Sequence, residues 1–395
     1  MSTRREVLHH MAAGALLAAN QSNPKKIRMA VVGGGFGASF HWHEHPQCTV
    51  TAVTDLYPVR RERLRKNYDC DSVYDSLEDL LKKRRDLDAV AVFSDAPSHF
   101  KHAKMCMEQG LHVVSAVPAC ISLEEAEQLR AVKEKTGLRY MMAESSYYRQ
   151  ACIYARDLYQ KGGFGEILYS EVEYYHDFNF EERLHNKSSL YYNPDGSNSW
   201  RQGFPPMHYP THSLGFVVGV TRERIATVSC LGAGDRAKMA RLPSNVYGNP
   251  FSNEFALLRT NRGNTVRHNE CRQIAAPESE RAQWFGEKGT LYMAKAGILA
   301  DTWQPRYGKA GPANIPNYWM GEQLPASMRH QSGHGGSAVF ISAEFVNALL
   351  ENREPTVDVY EALAMTVPGI IAHQSALKNG ERMKVPGFDR QPPAA

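Results

Sequence analysis

A glycine-rich turn that directly follows a short β-rich run constrains the fold of this chain more than any other feature. Ile27–Val32 is the β-rich run, and Gly33–Ala38 follows it with the pattern G-x-G-x-x-A. In such a turn the first glycine allows a sharp reversal, the second lets the backbone approach a pyrophosphate, and the alanine permits close helix packing. We expect a helix to begin here, with its first N–H groups pointing at the phosphates. The residues expected to contact a dinucleotide are Gly33, Gly35, Phe36, Gly37 and Ala38.

An acidic residue follows the next predicted strand at the distance that a dinucleotide site requires. Thr49–Val53 is that strand, and it leads to Asp55, 17 residues after Ala38. An acid at this place commonly binds the ribose 2′-OH. Because it would repel a 2′-phosphate, Asp55 favours NAD over NADP, although the nearby Arg60 and Arg61 weaken that preference.

The segments that follow continue to alternate between strand and helix. Leu87–Phe93 and His112–Val114 are predicted as buried parallel strands, and His99–Gln109 between them is predicted as a helix. Alternation with short loops is typical of a doubly wound sheet. The sequence therefore predicts a Rossmann domain over residues 27–145.

Composition excludes several other classes of protein. A chain of 395 residues is long enough for two domains with separate cores, and its formal charge of +4 is too small to indicate nucleic-acid binding. The seven cysteines contain no CxxC spacing, so they indicate neither a disulfide framework nor a zinc finger. We find no apolar run of the roughly 18 residues that a membrane span requires.

The first 26 residues are predicted to be a targeting signal rather than part of the fold. Arg4 and Arg5 stand in a stretch that matches a twin-arginine export signal, followed by a weakly apolar segment over Met11–Ala19. This interpretation predicts export, with the periplasm as the destination. The alternative is a disordered basic tail.

The second half, residues 146–395, is predicted to form a substrate-binding α/β domain. Ile167–Tyr175 alternates as a strand, and several later β-rich pieces lack intervening helices, which favours an open, mainly antiparallel sheet. The predicted elements are a helix over Tyr148–Lys161, strands over Ile225–Cys230, Asn253–Arg259 and Thr290–Met293, and helices over Ala338–Leu350 and Tyr360–Leu377 that pack back on the body. Phe178–Gly203 is irregular and rich in aromatic residues, so it is interpreted as a loop over the site or as an oligomer contact.

Residue type and position indicate further candidates for a functional site. Glu144 ends a probable strand at the carboxyl edge where doubly wound sheets bind ligands, so it is a candidate acid/base or ligand contact, or a loop acid that caps a helix. His41, His43 and His45 look like a metal cluster, but in the helix expected there they would point about 200° apart at each step. His334 lies in a Gly-His-Gly-Gly loop and is a weaker candidate. The sequence predicts no metal site.

The motifs in the first half resemble those of the Gfo/Idh/MocA oxidoreductases. The resemblance rests on Gly33–Ala38, Asp55, Ser94-Asp95 with His99, Gly110–Val113 and Pro118. It implies a Rossmann domain followed by an α/β domain whose open sheet forms the floor of a substrate site. Members of the family usually carry Glu-Lys-Pro at this place. This chain has Ala116-Val117-Pro118 there and lacks the lysine.

One subgroup has the same departure, the NAD-dependent α-N-acetylgalactosaminidases. The similarity rests on Val117–Ala119, Met141–Glu144, Tyr174–Asp177, Trp200-Arg201, Tyr209–His212 and Gly333–Gly336. It implies His212 as base with Tyr209 beside it, and Tyr174, Arg201, Thr211 and Glu144 as substrate residues. It also implies cofactor contacts from Ser94, Ala96, His99, Ala116, Val117 and Ser145, with NAD as cofactor and a homo-oligomer as the assembly.

Three functions follow from these observations. The first is cleavage of a glycoside by transient oxidation at C3 and elimination, with NAD retained. The second is a sugar or polyol dehydrogenase that releases NADH. The third is a catalytically silent sugar or dinucleotide sensor, in which loss of the family lysine marks loss of chemistry.

Overall fold

The protein was analysed as a computed structural model that describes residues 26–177, 180–242, 244–275, 278–295 and 300–390. The twin-arginine pair at Arg4 and Arg5 lies outside the described residues. Within the described ranges, none of the helices is both long and apolar enough to cross a membrane.

The first part of the chain forms a parallel sheet in the Rossmann order. Its six strands are arranged β3-β2-β1-β4-β5-β6, and every neighbouring pair is parallel. They are β1 (Ile27–Val32), β2 (Cys48–Thr54), β3 (Val73–Tyr74), β4 (Ala89–Val92), β5 (His112–Ser115) and β6 (Tyr140–Met142). All four residues of β4 are buried because helices cover both faces of the sheet.

Local sequence signals account for where the helices of this part begin and end. They are α1 (Pro58–Tyr68), α2 (Leu77–Lys83), α3 (His99–Glu108) and α4 (Leu123–Thr136). The Ser122 hydroxyl accepts a hydrogen bond from the Glu125 N–H at 3.1 Å and caps α4, which ends at Gly137 with φ of 65°. Ser76 caps α2 in the same way.

The prediction of a helix directly after the glycine turn is wrong. The structure has two single 3₁₀ turns there, Gly37–Ser39 and Trp42–Glu44. Pro46 lacks an N–H and β2 begins at Cys48, so the segment is too short for a helix of several turns. A helix from the C-terminal part, α9 (Ser337–Leu350), packs on this face instead.

The second part of the chain is built on a larger mixed sheet, as predicted. The nine strands run β14-β13-β12-β11-β7-β10-β9-β8-β15. Only the β7–β10 pair is parallel among these neighbours. The strands are β7 (Ile167–Tyr175), β8 (Ile225–Ala233), β9 (Asn253–Thr260), β10 (Thr265–Cys271), β11 (Ser279–Gly286), β12 (Gly289–Tyr292), β13 (Thr302–Pro305), β14 (Gly311–Pro312) and β15 (Met383–Lys384).

Two helices cover one face of this sheet, and one of them connects it to the first. The helices of this part, besides α9, are α5 (Gln150–Gln160), α6 (Phe180–His185), α7 (Thr211–Thr221), α8 (Arg236–Ala240) and α10 (Val359–Leu377). Helix α7 lies on β7 and β11, while α10 packs on β8 and also against β6 and α4 of the first part. The domain boundary predicted after residue 145 stays a prediction; it falls between β6, which ends at Met142, and β7, which begins at Ile167.

Candidate active site

A cleft of about 770 Å³ opens at the carboxyl ends of the first strands. The glycine turn forms one side of it, and residues 187–201 of the aromatic-rich segment form the other. The lining residues include Gly33, Gly35, Phe36, Asp55, Ser94 and Arg201. The irregular segment therefore lies over the dinucleotide cleft, in agreement with the first of its two interpretations.

The turn has the backbone that close approach to a dinucleotide requires. Gly33 has φ of 95°, and a Cβ added there would lie 2.0 Å from the carbonyl oxygen of Phe93. Asp55 follows β2 and accepts hydrogen bonds from the Gly34 N–H at 2.7 Å and the Tyr57 N–H at 2.8 Å. These residues fit a bound NAD, with the turn against the pyrophosphate and Asp55 beside the ribose.

The expected contacts on the loop after β4 divide into two kinds. Ser94 lines the cleft. His99 and Ala96 are almost fully buried, and the two ring nitrogens of His99 lie 2.9 Å from the Pro118 carbonyl and 2.8 Å from the Ser94 carbonyl. Burial lowers the pKa of His99 to about 4, against the two carbonyl contacts, which raise it. His99 positions this loop and does not itself face the cleft.

The residues after β5 and β6 bring the two parts of the chain together. Ala116 and Val117 are buried at the end of β5, and the Val117–Pro118 peptide bond is cis. After β6, the Ser145 hydroxyl lies 3.4 Å from Nδ1 of His212, and its carbonyl accepts a hydrogen bond from the Ser337 hydroxyl at 2.6 Å. Ser145 therefore contacts the first turn of α7 and the start of α9.

His212 and Glu144 form a buried pair at the junction. His212 is in the first turn of α7, and its Nδ1 lies 2.9 Å from Oε1 of Glu144, which also accepts the Ser146 N–H at 2.8 Å. Burial is the largest single influence on the pKa of His212 and lowers it, but the charge and hydrogen bond of Glu144, with the charges of Glu280 and Glu270, together raise it to about 9. The same contact holds the pKa of the fully buried Glu144 below its usual value, against the effect of burial. Glu144 therefore lies behind His212, where it orients the imidazole rather than contacting substrate.

Two tyrosines predicted for this site lie next to each other beside the imidazole. The ring of Tyr174 lies 5.0 Å from that of His212 and the ring of Tyr209 lies 5.3 Å from it. Burial raises the pKa of both phenols. Each stays protonated near neutrality and can donate a hydrogen bond, so of Tyr209 and His212 it is His212 that suits the part of base.

Arg201 and Thr211 occupy different surroundings from each other. The Arg201 guanidinium lies 4.4 Å from the centre of the Trp200 ring and lines the cleft, as a substrate-orienting residue would. Thr211 is fully buried at the start of α7, where it adjoins Glu144. Its expected contact with substrate does not agree with that burial.

Four further residues lie at this junction: Arg272, Glu280 and Arg149, for which the sequence predicted no role, and one weaker candidate. Arg272 lies 4.8 Å from the centre of the Tyr174 ring and 5.3 Å from that of Tyr209. Glu280 pairs with Arg149 at 2.5 Å and lies close to the Glu144–His212 pair. Arg272 directly follows β10 and Glu280 lies in β11. The short alternating patterns of these two strands are the sequence signal that could have indicated both residues.

The fourth is His334, which joins this junction to the glycine turn. Its ring contacts that of Phe36 edge-on, with centroids 4.8 Å apart. Burial lowers the pKa of His334, and the charge of His212 lowers it further. The imidazole of His212 therefore lies close to the mouth of the dinucleotide cleft.

Comparison with known proteins agrees with this architecture. Residues 27–144 match the Gfo/Idh/MocA oxidoreductase family, NAD-binding Rossmann fold, and residues 258–392 match the C-terminal domain of glycosyl hydrolase 109. A glycosyl hydrolase family 109 protein of Streptomyces coelicolor is 23% identical over 92% of this chain and 83% of its own length. Glycosyl hydrolase family 109 protein 1 of Phocaeicola vulgatus is 24% identical over 92% of this chain and 84% of its own length.

Solved structures show the same fold. An inositol dehydrogenase homolog from Azotobacter vinelandii, complexed with NADH and myo-inositol, superposes with a TM-score of 0.70 at 20% identity, covering 91% of this chain and 98% of that one. An oxidoreductase domain protein from Kribbella flavida gives a TM-score of 0.73 at 18% identity, covering 92% and 100%.

A nucleotide cleft on a Rossmann sheet, with a buried histidine–glutamate pair where the two parts of the chain meet, defines an NAD-dependent enzyme of the oxidoreductase type. Residues 27–144 thus match the NAD-binding Rossmann domain of the Gfo/Idh/MocA oxidoreductases, and residues 258–392 match a C-terminal domain of the glycosyl hydrolase 109 kind.

Proposed function

We propose that this enzyme cleaves a glycoside by transient oxidation of the sugar at C3 followed by elimination, with NAD kept bound throughout. The observation that carries the proposal is the Glu144–His212 pair, with two tyrosine rings beside its imidazole, close to the nucleotide cleft. It supplies a base although Val117 stands where the family lysine would be. The relatives named as family 109 glycosyl hydrolases support this choice of reaction.

The residues of this chain would hold the sugar and move its protons. Because Nδ1 of His212 faces Glu144, Nε2 is the nitrogen that can accept the hydroxyl proton of the sugar. Glu144 stabilises the imidazolium that results, and Tyr174 and Arg201 would orient the sugar. NAD, when bound against the glycine turn, would supply the hydride acceptor and return the hydride at the end. No pair of carboxylates flanking the glycosidic bond is needed, unlike in ordinary glycoside hydrolysis.

A sugar or polyol dehydrogenase that releases NADH is the second candidate. The same pair could accept a hydroxyl proton during simple oxidation, and the solved structures with this fold include inositol dehydrogenases. A silent sugar or dinucleotide sensor is the third, and the absence of the family lysine is what favours it.

One assay separates the three functions. Purified protein is incubated with a panel of aryl glycosides and free sugars, while aryl release and NADH absorbance are followed. Aryl release without added NAD and without net NADH supports the proposal. Stoichiometric NADH supports the dehydrogenase, and the absence of both signals supports the sensor.

The base is tested by His212→Ala, which we expect to abolish either activity while leaving NAD binding intact. His43→Ala, at an exposed histidine outside the site, is the matched control and should retain activity. If His212→Ala keeps full turnover, the assignment of the base is wrong.

We also propose that the protein is exported through the twin-arginine route to the periplasm. Arg4-Arg5 is the sequence feature that supports this location. Replacing both arginines with lysine should leave the protein in the cytoplasm when periplasmic and cytoplasmic fractions are compared. Unchanged distribution would contradict export by this route.

We propose further that the enzyme is a homo-oligomer in which a second copy covers the outer face of the large sheet. Phe255 and Leu257 of β9 and Leu231 of β8 are exposed apolar side chains on that face. Such a patch on a sheet is typical of a protein interface. Leu257→Glu should shift the mass measured by light scattering toward a monomer, and an unchanged mass would contradict this surface.

A further inference from the structure

Two histidines and a glutamate from opposite ends of the chain converge beside the glycine turn. His41 and Glu44 belong to the 3₁₀ segment after that turn, and His330 belongs to the segment that precedes α9. Nδ1 of His41 lies 2.8 Å from Oε1 of Glu44, and Nε2 of His330 lies 2.6 Å from Oε2. The two imidazole rings meet edge-on with centroids 5.0 Å apart. One donor atom from each residue lies within 4.8 Å of the other two.

This arrangement places two basic nitrogens on a single carboxylate. A ring nitrogen this close to a carboxylate oxygen must carry a proton or share the oxygen with a cation. Two N–H groups donating to one carboxylate would form an ordinary hydrogen-bonded cluster. One divalent cation between the three side chains would displace those two protons, to solvent or to the other ring nitrogen, and would take one ligand atom from each residue.

The surroundings of His330 fit the part of a metal ligand. Its Nδ1 lies 3.3 Å from the Gln331 carbonyl, a contact that directs the lone pair of a neutral ring to Nε2. The Ser327 hydroxyl donates to the Glu44 carbonyl at 2.6 Å, so the backbone of Glu44 is also fixed from the C-terminal side. The three side chains are between 21% and 38% exposed, which leaves an entry path and room for a water ligand.

We propose that His41, Glu44 and His330 form a divalent transition-metal site, with Zn²⁺ as the cation that suits two imidazoles and one carboxylate. The three histidines of the His-Trp-His-Glu-His run do not converge: His45 faces Asn347 and His43 packs on Tyr68. Only His41 of that series belongs to the site.

A cation at this position would connect the dinucleotide-binding part to the segment that carries His334. That segment runs from His330 to the start of α9, and its His334 ring packs on Phe36 of the glycine turn. A cation in the site would therefore hold the 330–336 segment against the glycine turn. The site is separate from the Glu144–His212 pair and does not depend on which reaction that pair performs.

The test uses the full chain, with any affinity tag removed, after dialysis against a chelator. We expect one Zn²⁺ per chain to bind by calorimetry and by metal analysis after desalting, and we expect Zn²⁺ but not Mg²⁺ to raise the Tm. His330→Ala and His41→Ala should each weaken Zn²⁺ binding by at least about tenfold. Glu44→Gln, which keeps the shape of the side chain, should do the same if the carboxylate is a ligand.

Two control variants identify the place of binding. His43→Ala removes a neighbouring histidine and should bind Zn²⁺ as the unmodified chain does. His212→Ala should also retain binding, since it lies in the other site. Zn²⁺ affinity that is absent, or that survives His330→Ala and Glu44→Gln, would overturn the proposal, and loss of affinity only in His212→Ala would place the cation at the catalytic pair instead.

Discussion

The imidazole of His212 lies beside two neighbouring tyrosine rings, and its Nδ1 atom contacts a fully buried carboxylate. Burial lowers the pKa of His212, and the surrounding carboxylates, Glu144 foremost, together raise it above its usual value. A base of this kind is protonated near neutrality and becomes competent as the pH rises toward about 9. The positive charge of a bound nicotinamide would favour loss of the proton at a lower pH.

Glu144→Gln should move the alkaline rise of activity to lower pH. Without the carboxylate, burial dominates, so the pKa of His212 falls and the base form is present earlier. We expect the midpoint of kcat/KM against pH to move down by more than about one pH unit, with a lower plateau because the ring is less well oriented. Glu280→Gln is the matched control, since that charge contributes less to the pKa of His212, and its midpoint should move less. A midpoint that stays fixed in Glu144→Gln would show that another group titrates.

At the scale of elements, α7 positions His212 by packing closely on the turn after β6. Gly215 stands one turn after His212, and a Cβ there would lie 2.1 Å from Oγ of Ser146 and 3.0 Å from Cγ of Glu144. The glycine thus allows the helix to approach near enough for the 2.9 Å contact between His212 and Glu144. Ser213 adds a second connection, because its hydroxyl donates to the buried Glu270 of β10 at 2.6 Å.

Gly215→Ala should lower both stability and turnover because it forces α7 away from Ser146. We expect a loss of about 1–3 kcal/mol in the free energy of unfolding, which is usual for overpacking, and a larger relative loss in kcat than in NAD affinity. Urea unfolding and steady-state kinetics would measure the two effects. Gly311→Ala is the control, since a Cβ there meets nothing within 4 Å. Equal behaviour of the two variants would contradict this role for the helix contact.

At the scale of the whole molecule, two C-terminal helices join the parts that carry cofactor and substrate residues. Helix α10 packs on both sheets, and α9 packs on β1 and the Trp42–Glu44 turn. The His41 N–H donates to the Ser342 hydroxyl at 3.0 Å, and the rings of Trp42 and Phe345 meet at 6.2 Å. Binding of NAD should therefore stabilise the molecule as a unit.

Two glycines of the turn should separate folding from NAD binding. A Cβ at Gly35 makes only ordinary contacts at 3.8 Å, whereas one at Gly33 collides with the backbone. Gly35→Val should therefore keep the Tm of the nucleotide-free protein but lose most of the stabilisation by NAD. That stabilisation amounts to about 2.7 kcal/mol in the free energy of unfolding when NAD is at 100 times its Kd. Gly33→Val should lower the Tm without nucleotide as well. Thermal unfolding with and without NAD measures both, and an undiminished NAD response in Gly35→Val would place the pyrophosphate elsewhere.

The sequence by itself determined the elements whose patterns are local. β1 and β7 have the predicted bounds, and α3, α5, α9 and α10 lie within two residues of the segments predicted for them. Periodicity, capping residues and glycine turns act over a few neighbouring residues, so they can be recognised from the chain alone. The fold class was predictable for the same reason.

The contacts between segments that are far apart in the chain could be known only from the three-dimensional structure. It replaced the expected first helix with two short turns because α9, some 300 residues later, packs on that face. It placed Glu144 behind His212, brought Arg272 against the tyrosines, and joined His41 and Glu44 to His330. These relations depend on long-range packing and on the mutual influence of charges, neither of which has a signature in local sequence.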